Sequence, residues 1–305
     1  MDTFFVVYIF TKTKTMSLTT TKLIECPRDA MQGIHPFIDT DLKAAYLNLL
    51  LEVGFDTLDF GSFVSPKAVP QMKDTAEVLA KLNLDQTTTK LLAIVANLRG
   101  VQDALMHPEI NYLGFPFSIS ETFQQRNTNA SIEQSFATID DLLNLCSKKG
   151  KKAVVYLSMA FGNPYGDEWS NELVYRYSKT LISRGVEILA LSDTVGVSTP
   201  EQIRSMVPPL INDFPEVEIG LHLHSLPESR MEKITAAYES GCRRFDSAIK
   251  GFGGCPMAKD DLTGNLATED LLQYLKQRDA LPGLNEDKWL AALKFSDQVF
   301  NGVSL

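Results

Sequence analysis

Eight times between Leu23 and Gln277, an apolar run of strand length gives way to a longer segment of helical period. Few folds accommodate that rhythm. The strand-length runs are Leu23–Cys26, Thr57–Phe60, Leu91–Ala96, Asn111–Phe117, Ala153–Met159, Glu187–Leu191, Glu218–His224 and Arg244–Ile249. The spacing predicts helices over Asp39–Val53, Val69–Lys81, Arg99–Met106, Ser131–Lys149, Ser170–Arg184, Thr199–Asn212, Glu228–Ser240 and Thr268–Gln277. Ser131-x-Glu133 and Thr199-Pro200-Glu201 supply capping hydroxyls with a Pro or Glu in the first turn, while Gly150, Gly185 and Gly241 mark helix ends. The pattern predicts a (β/α)8 TIM barrel, an α/β fold, over residues 22–280, followed by a helical tail over 281–305 with its helix at Glu286–Phe300. An open doubly wound sheet is the competing arrangement, but no Gly-x-Gly-x-x-Gly follows the first strand.

Composition narrows the function. The chain has 305 residues, 44% of them hydrophobic, enough for the core of one barrel. A net charge of −9 without a basic stripe argues against nucleic acid as a partner. Residues 1–21 are expected to be a disordered extension, with Met16 an alternative start. The apolar run Phe4–Phe10 is too short for a bilayer, which needs about 20 residues, so no membrane partner is expected. It also lacks the basic start of a signal peptide, and no arginine precedes Arg28, so the expected compartment is cytoplasmic. Cys26, Cys146, Cys242 and Cys255 have no Cys-x-x-Cys spacing and suggest neither a disulfide framework nor a zinc ribbon.

In a (β/α)8 barrel the chemistry sits at the C-terminal ends of the strands. Polar residues crowd there: Arg28-Asp29 and Gln32 after the first strand, Asp59 on the second with Ser62 leading its loop, and Ser192-Asp193-Thr194 at the end of the sixth. The seventh carries His222-x-His224, whose imidazoles share one face because the side-chain period of a strand is two. Beyond the eighth come Gly253-Gly254-Cys255-Pro256, Asn265 and Glu269. Two imidazoles, the Asp29 carboxylate and the Asn265 carbonyl make a thiolate-free N/O set that suits Mg2+ or Mn2+, with zinc or cobalt admissible on geometry. Arg28 offers a permanent cation to an enolate or carboxylate, or a partner for Asp59 or Glu25. Cys255, in a loop of small residues, can donate a proton to a carbanion; an inert buried thiol is the alternative. The other three cysteines read as packing.

Arg28-Asp29-x-x-Gln32, Ser62-Phe63-Val64-Ser65-Pro66-Lys67, Val69-Pro70-Gln71-Met72, Asp193-Thr194-Val195-Gly196-Val197, His222-x-His224, Gly253-Gly254-Cys255-Pro256 and Gly264-Asn265-Leu266-Ala267-Thr268-Glu269-Asp270 together resemble the hydroxymethylglutaryl-coenzyme A lyases. The resemblance runs from about Leu23 to Phe300. It implies cleavage of 3-hydroxy-3-methylglutaryl-coenzyme A to acetyl-coenzyme A and acetoacetate with a divalent cation. It also implies Asp29, His222 and His224 as metal ligands with Asn265 completing or supporting the shell. Arg28 is then the enolate stabiliser, Cys255 the proton donor, and His222 also the relay for the hydroxyl proton. Gln32, Asp59, Asp193 and Glu269 fall on supporting or substrate-binding positions. The partner implied is the acyl-coenzyme A substrate, with a homodimer left open. The chain departs from the family at Ala30-Met31, at Asp59 where glutamate is usual, at Ser225-Leu226-Pro227-Glu228, and at Asn163 where a cysteine is usual. The rival expectations are a Claisen-type synthase of the isopropylmalate or homocitrate kind, and a non-catalytic relative that keeps the barrel.

Overall fold

A computed structural model of the chain describes residues 20–254 and 263–300. Eight parallel strands close on themselves in sequence order: β1 Lys22–Glu25, β2 Thr57–Ser62, β3 Lys90–Ile94, β4 Ile110–Ser118, β5 Lys152–Ser158, β6 Ile188–Asp193, β7 Glu218–Leu223 and β8 Arg244–Ser247. Every predicted strand is present, its start within one residue of the expected one. The strands are buried on both faces because helices cover the outside and side chains fill the inside. That is why they read as short apolar runs rather than as alternation.

The helices return the chain outside the barrel: α1 Pro27–Met31, α2 Thr40–Leu51, α3 Thr75–Leu79, α4 Leu98–Ala104, α5 Glu121–Thr128, α6 Ile132–Lys148, α7 Asn171–Ser183, α8 Pro200–Asp213, α9 Pro227–Glu239, α10 Thr268–Lys276 and α11 Glu286–Val299. Capping boxes start α6 and α8. Their reciprocal partners are Gln134 and Gln202 in the third helical position, rather than the acidic residues one place earlier. Gly150, Gly185 and Gly241 take positive φ at the helix ends, as expected.

Two departures have local causes. The segment expected as one helix over Val69–Lys81 is a single 3-10 turn, Pro70–Met72, followed by the short α3, and at the break the Thr75 hydroxyl donates to the Met72 carbonyl at 2.8 Å. The eighth strand ends at Ser247, and Ile249–Gly251 forms a turn with Lys250 at positive φ. Short α1 and α5 were not expected; the periodicity test needs a longer window than either offers. In the tail, α11 packs on α2, with Tyr46 stacked on Phe295 at 6.4 Å and edge-on to Phe300 at 5.9 Å.

The barrel interior is divided. Strands β3 to β6 contribute a separate apolar cluster of Leu92, Ile94, Tyr112, Val154, Tyr156, Ile188 and Ala190. The other strands carry ionisable groups instead: buried Asp59 on β2, half-buried His222 on β7, and buried Arg244 and Asp246 on β8. That polar half leads up to the mouth.

Candidate active site

Helix α1 starts directly beyond β1 with Pro27 in its first turn, so Arg28 and Asp29 stand at the rim of the barrel. Arg28 is 8% exposed and its Nε donates to both Asp59 oxygens at 3.0 and 3.2 Å. One Nη donates to Asp29 Oδ1 and Gln32 Oε1, each at 3.0 Å, and the other to Asp59 Oδ2. Gln32 donates in turn to Asp29 Oδ1 at 2.7 Å. The arginine is therefore the partner of Asp59 and Asp29, not of Glu25. The shorter Asp59 side chain still reaches it. Burial disfavours the Arg28 cation, but Asp59 first and then Asp29 outweigh that and hold it charged. Burial likewise pushes the Asp29 carboxyl up, yet Arg28, His222 and His224 bring it down to about 2.

The two imidazoles are aimed by their Nδ1 atoms. His222 Nδ1 lies 3.2 Å from Asp246 Oδ2, its neighbour across the β7–β8 register. His224 Nδ1 lies 3.1 Å from the Thr194 carbonyl at the end of β6. With both Nδ1 atoms engaged as donors, the two Nε2 lone pairs are left pointing at each other 3.3 Å apart. A carboxylate oxygen of Asp29 completes a group of three ligand atoms all within 4.8 Å of one another. Asn265 joins them because its backbone bridges His224, with Ser225 N donating to Gly264 O at 2.8 Å and Leu266 N to Leu223 O at 3.1 Å. Its Nδ2 donates to Asp29 Oδ2 at 2.7 Å and Phe252 O at 2.9 Å, while its buried Oδ1 has no partner among the described residues. Converging lone pairs beside a carboxylate and an orphaned amide oxygen are destabilising unless a proton on one Nε2 or a metal cation lies among them. The donor set fits a divalent metal, and carboxylate plus amide oxygen with two imidazoles admits Mg2+ or Mn2+.

Burial pulls the proton affinity of both histidines down. For His224, aided by the charge of His222, the result is about 4. For His222 the hydrogen bond and charge of Asp246, then Asp29, overcome burial and leave it raised.

The cysteine loop approaches this cluster from β8. A side chain at Gly253 would lie 2.7 Å from Asn265 Nδ2 and 2.8 Å from the Asp29 carbonyl, so only glycine fits this crossing, at φ +100°. Cys255 lies outside the described residues. Its stem is fixed by Glu269, whose carboxylate accepts from Lys250 N at 2.9 and 3.1 Å. Asp193 points away from the cluster. It accepts from Val197 N, Ser198 N and the ammonium of Lys233, buried with it. Asn163, at the position where a cysteine is usual, organises its own loop by accepting from Tyr165 N and Asp167 N. Cys26, Cys146 and Cys242 are buried and free, as expected of packing residues.

A cavity of about 440 Å3 opens over Arg28, Asp29, His222 and His224, with Ser62, Tyr156 and the helix end Arg126–Asn129 among its walls. Sequence reasoning missed Asp246 and Lys233. The signal for Asp246 was present, since Arg244-x-Asp246 puts a carboxylate on the inward face of a strand beside His222. Nothing in the sequence marked Lys233, one charge on an amphipathic helix. No helix among the described residues is long and apolar enough to cross a membrane.

The chain is 32% identical to hydroxymethylglutaryl-CoA lyase YngG of Bacillus subtilis over 89% of this chain and 90% of that protein. It is 33% identical to the mitochondrial hydroxymethylglutaryl-CoA lyase of Macaca fascicularis over 92% and 86% of the two chains. It superposes on the crystal structure of an HMG-CoA lyase from Acinetobacter baumannii in complex with coenzyme A and 3-methylmalate. That match has a TM-score of 0.84 and 28% identity, covering 92% and 91% of the chains. The profile of the HMGL-like family matches residues 21–295. With a barrel, a cleft and relatives that agree along nearly their whole length, this chain belongs to the HMGL-like family.

Proposed function

We propose that this chain is a hydroxymethylglutaryl-coenzyme A lyase that splits the C2–C3 bond of 3-hydroxy-3-methylglutaryl-coenzyme A into acetyl-coenzyme A and acetoacetate. The observation that carries the reading is the convergence of Asp29, His222, His224 and Asn265 beside Arg28 under one cavity, in a chain whose relatives bear that name. Asp29 and the two Nε2 atoms would hold a divalent cation, with the orphaned Asn265 oxygen beside them, and such a cation would supply Lewis acidity that lowers the pKa of the tertiary hydroxyl.

With Nδ1 engaged by Asp246, His222 can take the hydroxyl proton only at Nε2, so in that step Nε2 would leave the cation to Asp29, His224 and Asn265. As the C2–C3 bond breaks, its electron pair passes to C2 and the thioester becomes an enolate. Arg28 has committed its Nε hydrogen, both Nη1 hydrogens and one Nη2 hydrogen to Asp59, Asp29 and Gln32. One Nη2 hydrogen is left uncommitted on an arginine that lines the cavity, and it would stabilise the enolate oxygen. Cys255, carried on the loop whose stem crosses Asp29, returns a proton to C2. A general acid of this kind contributes about 10²–10⁴-fold. Arg126 on the cavity wall offers a cation to the phosphates of coenzyme A, a molecule that the Acinetobacter relative binds.

The test is direct. The purified protein is incubated with hydroxymethylglutaryl-coenzyme A with and without Mg2+ or Mn2+, and acetoacetate is measured. Cation-dependent acetoacetate supports the assignment; none under any cation overturns it.

A further inference from the structure

Below the metal ligands, the polar half of the barrel interior holds an arginine that the reaction does not use. Arg244 opens β8 and Asp246 follows it on the same inward face. Arg244 is 1% exposed, and its stem lies across Gly220 of β7, where a Cβ would come within 2.8 Å of its Cδ. Glycine two residues before His222 is what lets the guanidinium enter the barrel.

One arginine nitrogen, Nη1, donates to Glu218 Oε1 at 2.8 Å, and Glu218 is paired in turn with Lys22 at the barrel floor. The Nε and Nη2 groups are buried without a partner among the described residues. So are Asp246 Oδ1 and the hydroxyl of Tyr156, whose ring stands edge-on to His222 at 5.7 Å. Four orphaned polar atoms in one barrel interior are unusual, since most buried polar groups are hydrogen-bonded. These four belong together: Arg244 and Asp246 are two residues apart on one face of β8, Asp246 Oδ2 lies 3.2 Å from His222 Nδ1, and the Tyr156 ring stands against that same imidazole. No direct Arg244–Asp246 ion pair forms among the described residues, although Glu218 and Arg244 do pair. Water matches the gap in kind. It accepts from two N–H groups and donates to two oxygens, and a buried water typically makes two to four such bonds.

We propose that Arg244 and Tyr156 hold buried water against Asp246 Oδ1, and that this fixes the carboxylate that aims the His222 ring at the metal position. Arg244 is a positioning residue on this account, acting through water and Asp246 rather than on the substrate. The idea rests on His222 as a metal ligand, and so on the reading above. Its consequence is that the metal site is braced from beneath by the barrel core. Partners that orient a ligating histidine change metal affinity or activity about 10–100-fold when removed.

The experiment uses the whole protein. A high-resolution crystal structure is expected to place at least one water within hydrogen-bond distance of Asp246 Oδ1 and either Arg244 or Tyr156. A dry interior, or a direct Arg244–Asp246 contact, overturns the proposal. Mn2+ binding by calorimetry is expected to weaken about tenfold in Arg244→Met and in Tyr156→Phe, with kcat falling and KM for the acyl thioester held. Variants that lose thermal stability yet bind Mn2+ like the parent make both residues merely structural and overturn it. Should Arg244→Met not fold, Tyr156→Phe decides alone, because it buries no new charge. A parent protein that forms no acetoacetate defeats the proposed reaction, whereas the Mn2+ and water measurements judge this inference separately.

Discussion

Removing Lys233 tests how the site is held from outside the barrel. Its ammonium is buried and saturated: it donates to Asp193 Oδ2 at 3.0 Å, to Gly196 O at 3.0 Å and to His224 O at 2.8 Å. One side chain on α9 thereby fastens the end of β6, the loop beyond it and the backbone of a histidine in the metal set. Lys233→Met keeps the aliphatic stem and deletes the charge. Breaking a buried ion pair by removing one partner costs about 3–5 kcal/mol. Asp193 keeps its bonds from Val197 N at 2.8 Å and Ser198 N at 3.0 Å, so the lower end, about 3 kcal/mol, applies. Each kcal/mol shifts Tm by about 2–4 °C in chains of 150–250 residues, and less in larger ones. Thermal unfolding should therefore show a fall of about 5 °C. Lys233→Met combined with Asp193→Asn should recover part of it, since no uncompensated carboxylate remains. A single variant within about 1 kcal/mol of the parent, or a double variant no better than the single, would refute the argument.

Glu25 carries a pH signature. Burial raises its carboxyl from 4.5 to about 8, against the opposing bonds from Thr268 and Ile249 N. A folded-state value above the unfolded one means stability present below pH 4.5 and lost as pH rises through 8. Glu25→Gln should thus gain on the parent by about 1 kcal/mol per pH unit across that window, read as unfolding midpoints against pH; parallel curves for the two proteins would show an ionised Glu25. Exhaustive chelation should abolish acetoacetate formation and Mn2+ restore it, and Asp29→Asn should weaken Mn2+ binding by calorimetry at least tenfold; undiminished turnover without metal removes the cation from the reaction. Cys255→Ser should lower kcat about 10²–10⁴-fold while KM changes little, and a near-parental rate would retire the thiol as the acid.

The barrel was legible because each strand is buried on both faces, so it appears as a compact apolar run that a glycine or a capping hydroxyl brackets. The clustering of the candidate ligands was legible for a related reason. His222 and His224 share a face by strand period alone, and Asp29 and Asn265 stand in loops that the barrel topology places over its mouth. What the sequence concealed is how those ligands are oriented. Asp193 and Asp246 both stand near the tops of the two strands that flank β7, and although Arg244-x-Asp246 hints at an inward carboxylate, spacing alone does not rank it above Asp193. Only the strand register separates them. Asp246 lies opposite His222 and turns its ring, whereas Asp193 faces outward to Lys233, 40 residues further along the chain. Arg244 repeats the lesson, since at the start of a strand it reads as a solvated end, and only Gly220 beside it reveals that it passes inward. Chemistry-bearing residues follow from local pattern, but the residues that aim them depend on contacts between strands, and those become visible only when the barrel closes.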